Sequence, residues 1–136
     1  MNPSDLVERY VAMWNEPDAE VRQKTIRELW THDGTHAVEA PEHARSIAHD
    51  LGFRTTTLDA RGYDELDFRV ARAHESFVAP GTYTFRSQGN AARLGNIVKF
   101  NWEMVTTDGA VAAVGLDVFV VDDDGRIRAD YQFVER

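Results

Sequence analysis

The sequence predicts an α+β domain, because helix-forming segments fill its first half and strand-forming segments fill its second half. In the first half, apolar residues recur every three or four positions, the period of a helix with one buried face. In the second half, runs rich in β-branched and aromatic residues are separated by three turn pairs: Gly89-Asn90, Asp108-Gly109 and Asp124-Gly125. Helices followed by hairpins, without alternation, argue against a doubly wound parallel sheet.

The first half is predicted to contain four helices and one short strand. The first helix follows Pro3, with Ser4 or Asp5 as its cap. The second begins after Asp18, whose side chain can cap it, and reaches about residue 30. A short strand, a weakly specified helix and a longer helix follow, at about residues 35–39, 41–52 and 63–76.

The hairpin region predicts a four-stranded antiparallel meander at about residues 82–88, 92–106, 110–121 and 126–135. In the second strand the even positions from Val98 to Met104 are apolar, so that face is expected to meet the helices. The third strand is apolar on both faces except at Asp117. Since helices can cover only one face, we predict a homodimer packed through the other; a further segment of the same chain is the alternative.

Composition limits the partners and the location that can be expected. The 136 residues carry a net charge of −8, which disfavours nucleic acids and anionic membrane surfaces. The chain has no cysteine, which excludes disulfides, a thiol nucleophile and Cys-ligated zinc. No apolar run is long enough to span a membrane, and the first residues lack the pattern of a signal peptide. We therefore expect a single cytoplasmic domain over residues 1–136.

Motifs for cofactors and metals are missing. The sequence has no Gly-x-Gly-x-x-Gly, no phosphate-binding loop and no Gly-x-Ser-x-Gly, so no cofactor is predicted. The five histidines lack a recognised ligand spacing, so no metal is predicted either. The acidic run before Gly125 lacks the spacing of a calcium loop and fits a turn between strands.

Asp117 is the residue that points most directly to a function. It lies in the middle of a strand, between Leu116 and Val118, where a charge is costly unless it is paired or neutralised. An unpaired buried carboxyl group tends to keep its proton, which makes it a hydrogen-bond donor and an acid–base candidate. The alternative is a structural carboxylate satisfied by an arginine or by the backbone.

Three segments resemble the nuclear-transport-factor-2-like superfamily, which includes ketosteroid isomerases and SnoaL-like polyketide cyclases. They are RYVAMW at residues 9–14, LWTHD at residues 29–33 and LDVFVVDDDGRI at residues 116–127. The resemblance covers nearly the whole chain. It implies a cone-shaped domain in which a curved antiparallel sheet wraps around the N-terminal helices and leaves a cavity. Because this fold carries enzymes, binding modules and assembly domains, function has to be argued from the site.

The resemblance also implies roles for single residues. In ketosteroid isomerase a tyrosine of the first helix and a protonated aspartic acid of a late strand form an oxyanion hole, and Tyr10 and Asp117 match them. The general-base aspartate of that enzyme corresponds here to Ala40, which cannot take a proton. The cyclases have an acid–base aspartate at the end of a His-Trp-Asp-like run on the last strand. That run matches Asp130-Tyr131-Gln132, so an amide replaces the carboxylate.

Further residues are candidates for the cavity. Strand alternation places His36 on the inward face with Ala40, which makes it the best substitute base, since an imidazole titrates near neutrality. A histidine hydrogen-bonded at the cavity rim is the alternative. Seven aromatic residues are candidates for the walls of an apolar cavity for a planar or polycyclic ligand: Trp14, Trp30, Tyr63, Phe100, Trp102, Tyr131 and Phe133. The alternative is that most of them are core side chains and only a few contact a ligand.

Three functions therefore stay open. The first is a cofactor-independent isomerase, cyclase or dehydratase for an apolar, carbonyl-bearing substrate, with Tyr10 and Asp117 as an oxyanion clamp and His36 as the proton shuttle. The second is a module that binds an apolar small molecule in the same cavity without chemistry. The third is a dimerisation domain whose cavity is filled by core side chains.

Overall fold

The computed structural model describes residues 1–39, 42–52 and 57–135. Its α-helices are α1 (Pro3–Asn15), α2 (Ala19–Leu29), α3 (Glu42–Asp50) and α4 (Gly62–Ala73), and a π-helical turn at His74–Val78 continues α4. Its strands are β1 (Trp30–Glu39), β2 (Thr57–Arg61), β3 (Tyr83–Ser87), β4 (Ala92–Leu94), β5 (Ile97–Thr106), β6 (Val111–Val121) and β7 (Ile127–Val134).

The strands form one curved, open sheet in the order β2-β1-β7-β6-β5-β3, with β4 paired to β5. Neighbouring strands are antiparallel except β1 and β7, which run parallel. Helices α1, α2 and α4 pack on the inner face, and the core between the layers is built from large side chains such as Trp30, Phe100 and Phe119. None of the helices in the described ranges is long and apolar enough to cross a bilayer.

The helices agree with the sequence prediction except at their ends. Asn2 caps α1 instead of Ser4 or Asp5, because its Oδ1 accepts the main-chain N–H of Ser4 at 2.8 Å. Asp18 caps α2 as predicted. The helix expected to reach residue 76 ends at Ala73, where the π-helical turn takes over. The π-helical turn contains Phe77, one of the residues that line the cavity described below.

The sheet is larger than the four-stranded meander that the turn pairs predict. The expected strands are present and antiparallel, but the one expected at 92–106 is divided into β4 and β5 by a turn in which Gly95 has a φ of +58°. The first strand begins at Trp30 instead of Thr35, and β2 was not predicted. Strand β2 could not be recognised in the sequence, because Ala60 is its one buried residue and the segment therefore shows no apolar alternation.

Alternation along β5 and β6 sorts their side chains as the sequence predicts. On β5, Val98, Phe100 and Trp102 are buried against the helices, whereas Lys99 is exposed. On β6, the side chains that alternate with Asp117 lie on the outer face of the sheet and are only half-buried. The outer face is apolar on β6 and β7, whereas β5 adds polar side chains such as Lys99 and Asn101. The homodimer expected to pack through it stays a prediction.

Candidate functional site

A cavity of about 250 Å³ lies between α1, the π-helical turn and the inner face of the sheet. Its inner end is formed by the buried residues Tyr10, Phe100 and Asp117, whereas Phe77 and Val134 at its mouth are 40% and 56% exposed. Its size and apolar walls suit one small planar molecule. The complete lining is Tyr10, Val11, Trp14, Ala73, Phe77, Phe85, Phe100, Trp102, Met104, Ala113, Asp117, Gln132 and Val134.

Three of the aromatic residues predicted for the cavity wall do line it: Trp14, Phe100 and Trp102. Trp30 does not, because it is fully buried in the core behind Tyr10, with 5.7 Å between the ring centroids. The prediction is therefore wrong for Trp30.

The prediction is also wrong for Tyr63 and for the aromatic residues of β7. Tyr63 is held away from the cavity by its hydroxyl, which donates to the main-chain oxygen of Trp30 at 3.1 Å. Tyr131 and Phe133 are 47% and 49% exposed, because β7 turns their side chains to the outer face of the sheet. The side chains that β7 turns inward include the polar Asp130 and Gln132 and, at the mouth of the cavity, Val134.

Tyr10 and Asp117 meet at the inner end of the cavity, as the resemblance implies. Tyr10 Oη lies 2.9 Å from Asp117 Oδ2, and Trp102 Nε1–H donates to Asp117 Oδ1 at 2.7 Å. The indole reaches this carboxyl group by lying across Gly115, its partner on β6. A Cβ at Gly115 would lie 2.6 Å from Trp102 Nε1 and closer still to the six-membered ring, so only glycine permits this indole position.

Asp130 adds a second carboxyl group that the sequence analysis did not single out. It is fully buried, and its Oδ2 lies 2.5 Å from Tyr10 Oη. Its Oδ1 has no hydrogen-bond partner among the described residues. The family pattern places its acid–base aspartate at position 132, which is Gln132 here. Alternation on β7, which turns Asp130 and Gln132 to one face, was the signal that could have found it.

The Tyr10 hydroxyl is thus shared by two buried carboxyl groups. Burial raises the pKa of both, and at Asp130 the nearby charge of Asp117 raises the pKa further. Hydrogen bonds with Asp130, Tyr10 and Trp102 oppose the rise at Asp117. The two carboxyl groups therefore titrate as a coupled pair in which burial favours a bound proton. Burial, followed by the charge of Asp117, raises the pKa of Tyr10 well above its usual value, so the phenol stays protonated.

His36 lies buried beside this pair and does not line the cavity. Burial lowers its pKa to about 4, so the imidazole is neutral at pH 7. Arg69 Nη1 lies 2.9 Å from His36 Nδ1, and because a guanidinium can only donate, Nδ1 is the acceptor. The ring proton is therefore on Nε2, which donates to Gln132 Oε1 at 2.8 Å. With both nitrogens engaged, His36 does not fit the role of substitute base.

The same bonding decides whether a metal ion fits here. His36, Asp117 and Asp130 offer ligand atoms that lie within 4.8 Å of one another. A histidine ligand needs a free nitrogen lone pair, and His36 has none, because Nδ1 accepts from Arg69 and Nε2 carries the proton. The Tyr10 hydroxyl also bonds both carboxyl groups. The cluster does not fit a metal ion in this arrangement.

The family's general-base position and its neighbour do not both fall within the described residues. Ala40 lies outside the described residues. Its neighbour Glu39 is exposed and pairs with Arg45, away from the cavity. Asp117 and Asp130 are therefore the carboxyl groups that the described part of the chain brings to the inner end of the cavity.

No protein-family model and no curated protein matches this chain. Solved structures match it over nearly its whole length. A candidate isomerase of the SnoaL-like family from Agrobacterium tumefaciens gives a TM-score of 0.77 and 24% identity, covering 97% of this chain and 96% of that one. A candidate polyketide cyclase from Sinorhizobium meliloti gives 0.61 and 14%, covering 94% and 93%.

An NTF2-like protein of unknown function from Exiguobacterium is similar too. Its TM-score is 0.61 and its identity 14%, with 96% of this chain and 98% of that one covered. The chain therefore has the nuclear-transport-factor-2-like α+β fold, and the resemblance seen in the sequence is confirmed at the level of the fold.

Proposed function

We propose that the protein is a cofactor-independent enzyme that moves a proton on an apolar, carbonyl-bearing small molecule, as isomerases, cyclases and dehydratases do. The observation that carries the proposal is the acidic pair of Asp117 and Asp130, joined by Tyr10, at the inner end of an otherwise apolar cavity. Two carboxyl groups with raised pKa values are costly to bury, and such groups are concentrated at catalytic sites. The fold shared with a SnoaL-like candidate isomerase and a candidate cyclase supports the same class.

Within this site, Asp117 is the group that exchanges a proton with the substrate. It lines the cavity, whereas Asp130 lies behind it. Burial raises the pKa of Asp117, which makes its carboxylate a stronger base near neutral pH. A carboxylate has about four acceptor sites, so Asp117 can bond Trp102 and Tyr10 and still accept a substrate proton.

The oxyanion clamp implied by the resemblance needs both Tyr10 and Asp117 as donors to the substrate. Here the hydroxyl of Tyr10 is held between the two carboxyl groups, and Asp117 accepts from Trp102. Tyr10 and Asp130 therefore serve better as the acid partners of Asp117. They stabilise the carboxylate before it takes the proton and share the added proton afterwards.

Exchange of deuterium from D₂O into a ketone, at the carbon next to the carbonyl, tests the proposal without knowledge of the natural substrate. A panel of bicyclic ketones that includes 1-tetralone is incubated with the protein in D₂O, and loss of the proton signal next to the carbonyl is followed by NMR. We expect the wild type to accelerate exchange, and Asp117→Asn and Tyr10→Phe to slow it by on the order of a hundredfold. Val118→Ala, one residue away on the outer face, is the matched control and should exchange at the wild-type rate.

A ketone that binds but is not exchanged would contradict the proposal. Binding is followed independently as a saturable shift of the Trp102 indole signal, since this indole lines the cavity. Equal exchange rates for bound ketone with the wild type and with Asp117→Asn would mean that Asp117 does no chemistry. Failure of every ketone in the panel to bind would contradict the ligand class.

A module that binds an apolar ligand without chemistry is the second candidate. One observation favours it, since most of the polar groups at the inner end already bond one another: Tyr10 and Trp102 bond the carboxyl groups, and His36 bonds Gln132. Such a module would keep its ligand affinity in Asp117→Asn and show no exchange. The third function, a dimerisation domain with a filled core, is disfavoured by the open cavity of about 250 Å³.

A further inference from the structure

Arg69 is anchored where α4 crosses the edge of the sheet. Its Nη1 contacts the main-chain oxygens of His36 and Leu58, each at 2.9 Å, and His36 Nδ1 at the same distance. These contacts hold the guanidinium against β1 and β2. Nη1 has two hydrogens for these three acceptors, so one hydrogen is shared between two of them. A proton on His36 Nδ1 would point at the guanidinium, and we therefore assign the ring proton to Nε2.

The proton on His36 in turn decides how the Gln132 amide is oriented. Nε2–H of His36 needs an acceptor, and the atom at 2.8 Å is Gln132 Oε1. Oxygen and nitrogen of a glutamine amide look alike in outline, but the donor on His36 leaves only one consistent assignment. The NH₂ group of Gln132 is therefore the end of the amide turned away from His36.

This NH₂ group is available to a ligand. Gln132 lines the cavity, and Nε2 has no hydrogen-bond partner within the described residues. Of the other three donors in the lining, Tyr10 Oη and Trp102 Nε1 are committed, because both bond carboxyl oxygens, and the third is the indole N–H of Trp14 on α1. Gln132 and Asp117 are also directly paired on neighbouring strands, so their Cα atoms lie about 5 Å apart.

We propose that Gln132 is the specificity-determining residue of the site: its NH₂ group donates to the carbonyl oxygen of the ligand, and Arg69, acting through His36, is the positioning residue that holds the amide in this orientation. The inference rests on the proposed function, because it supplies the oxygen-binding half of the same site. It selects ligands whose polar atom accepts a hydrogen bond, and disfavours ammonium ions and hydrocarbons of the same shape.

In the proton-transfer step Asp117 takes the proton and Gln132 binds the oxygen. The C–H bond next to the carbonyl breaks, its proton goes to Asp117, and its electron pair moves into the enolate whose oxygen Gln132 binds. Return of the proton from Asp117 to carbon completes the cycle, so no oxidant, reductant or further reactant is needed. The hydrogen bond from Gln132 strengthens as negative charge develops on the oxygen, which favours the transition state.

The test compares two probes of nearly the same shape, 1-tetralone and its hydrocarbon counterpart tetralin. In Gln132→Met, the dissociation constant of 1-tetralone should rise about fivefold to tenfold, the size expected for one neutral hydrogen bond, while that of tetralin stays unchanged. Gln132→Glu is the matched variant, because its carboxylate still accepts from His36 Nε2–H but offers no donor to the ligand. It should also weaken 1-tetralone more than tetralin.

Arg69 is tested through the tautomer of His36, which a purely structural role would not change. We expect ¹⁵N spectra to show His36 protonated on Nε2 in the wild type and to show the Nδ1 tautomer in Arg69→Leu. With the amide then free to turn its oxygen inward, binding should shift from 1-tetralone toward 1-tetralol. Arg69→Lys, another residue that only donates, should restore the Nε2 tautomer and the preference for the ketone.

Unchanged affinity for 1-tetralone in Gln132→Met, an equal loss for both probes, or no binding of 1-tetralone to the wild type would overturn the inference. Its failure can be told apart from failure of the proposed function. Selectivity that depends on Gln132 without any deuterium exchange would contradict the enzyme and keep Gln132 as a ligand-binding residue. Deuterium exchange that depends on Asp117, together with a preference for 1-tetralone over tetralin that is unchanged in Gln132→Met, would keep the proposed enzyme and contradict the role of Gln132.

Discussion

On the inner face of the β6–β7 pair Asp117 and Asp130 are both 0% exposed, whereas on the outer face Tyr131 and Phe133 are 47% and 49% exposed. An ordinary sheet has the opposite arrangement, with polar side chains outward. The inner face tolerates its carboxyl groups because their hydrogen-bond partners, Tyr10 among them, are buried with them. The contrast teaches that a sheet face can bury carboxyl groups among apolar side chains such as Phe119 where their hydrogen-bond partners are buried with them.

The largest expected effect comes from removing an apolar anchor of the inner face. Phe119 is fully buried, and its ring centroid lies 4.8 Å from that of Tyr10 and 5.4 Å from that of Phe100. Phe119→Ala should lower the free energy of unfolding by about 3–5 kcal/mol, because it leaves a cavity beside the carboxyl pair. Urea unfolding measures the loss. Phe68→Ala, at an aromatic residue of α4 that is 69% exposed, is the control and should cost far less.

Gly115→Ala is a smaller change that disturbs only the polar network. The added Cβ would overlap the Trp102 indole, which must then move away from Asp117 Oδ1. We expect a loss of about 1–3 kcal/mol in unfolding free energy and a changed indole N–H signal in NMR spectra. In a Trp102→Phe background the same substitution should cost less, because the overlapping atoms are reduced. Equal costs in both backgrounds would show that the indole does not depend on Gly115.

The pH dependence of stability separates Asp130 from His36. Asp130 keeps its proton in the folded state above its ordinary pKa of 3.8, so the folded state binds more protons than the unfolded chain and this contribution to stability is lost as pH rises. His36 behaves oppositely. Its pKa falls from 6.5 to about 4 on folding, so its contribution is present above pH 6.5 and lost as pH drops toward 4.

Unfolding measured from pH 4 to 8 checks both signs. The stability of the wild type minus that of Asp130→Asn should fall as pH rises, and the difference from His36→Gln should rise between pH 4 and 6.5 and then stay level. Each slope is at most about 1.4 kcal/mol per pH unit. A flat difference for Asp130→Asn would mean that this carboxyl group is not protonated in the folded protein.

The outer face gives the smallest expected change in the stability of the fold and a test of the predicted homodimer. Tyr131→Lys places a charge at the centre of this apolar surface, which should alter the unfolding free energy of the monomer by no more than about 0.5 kcal/mol. Light scattering should show a dimer for the wild type and a monomer for this variant. Phe68→Lys is the matched control and should stay dimeric. A monomeric wild type would show that the outer face has no partner copy.

Much of the fold could be predicted from local patterns. Period-2 alternation on β5 correctly turns Val98 and Phe100 inward, and the turn pairs mark the hairpins that join the long strands. Strand β2 could not be predicted, because its residues show no apolar alternation of their own. It forms a strand by hydrogen bonding to β1. The parallel contact between β1 and β7 joins segments far apart in the sequence, which no local signal reports.

The candidate site shows the same division. Asp117 could be recognised as unusual because it interrupts an apolar strand, and Tyr10 could be joined to it through the family resemblance. The residues around them could not, because their roles depend on which atoms meet. Asp130 became part of the site through its contact with Tyr10, and Gln132 through its contact with His36.

The sequence by itself determined the α+β class, the alternation of the long strands and the presence of a carboxyl group inside the sheet, because each follows from the order and spacing of neighbouring residues. The tertiary structure decided that two carboxyl groups share one tyrosine and that Arg69 fixes the proton of His36. These are contacts between side chains of different helices and strands. Their chemistry depends on distances of about 3 Å and on burial, which only the packed chain defines.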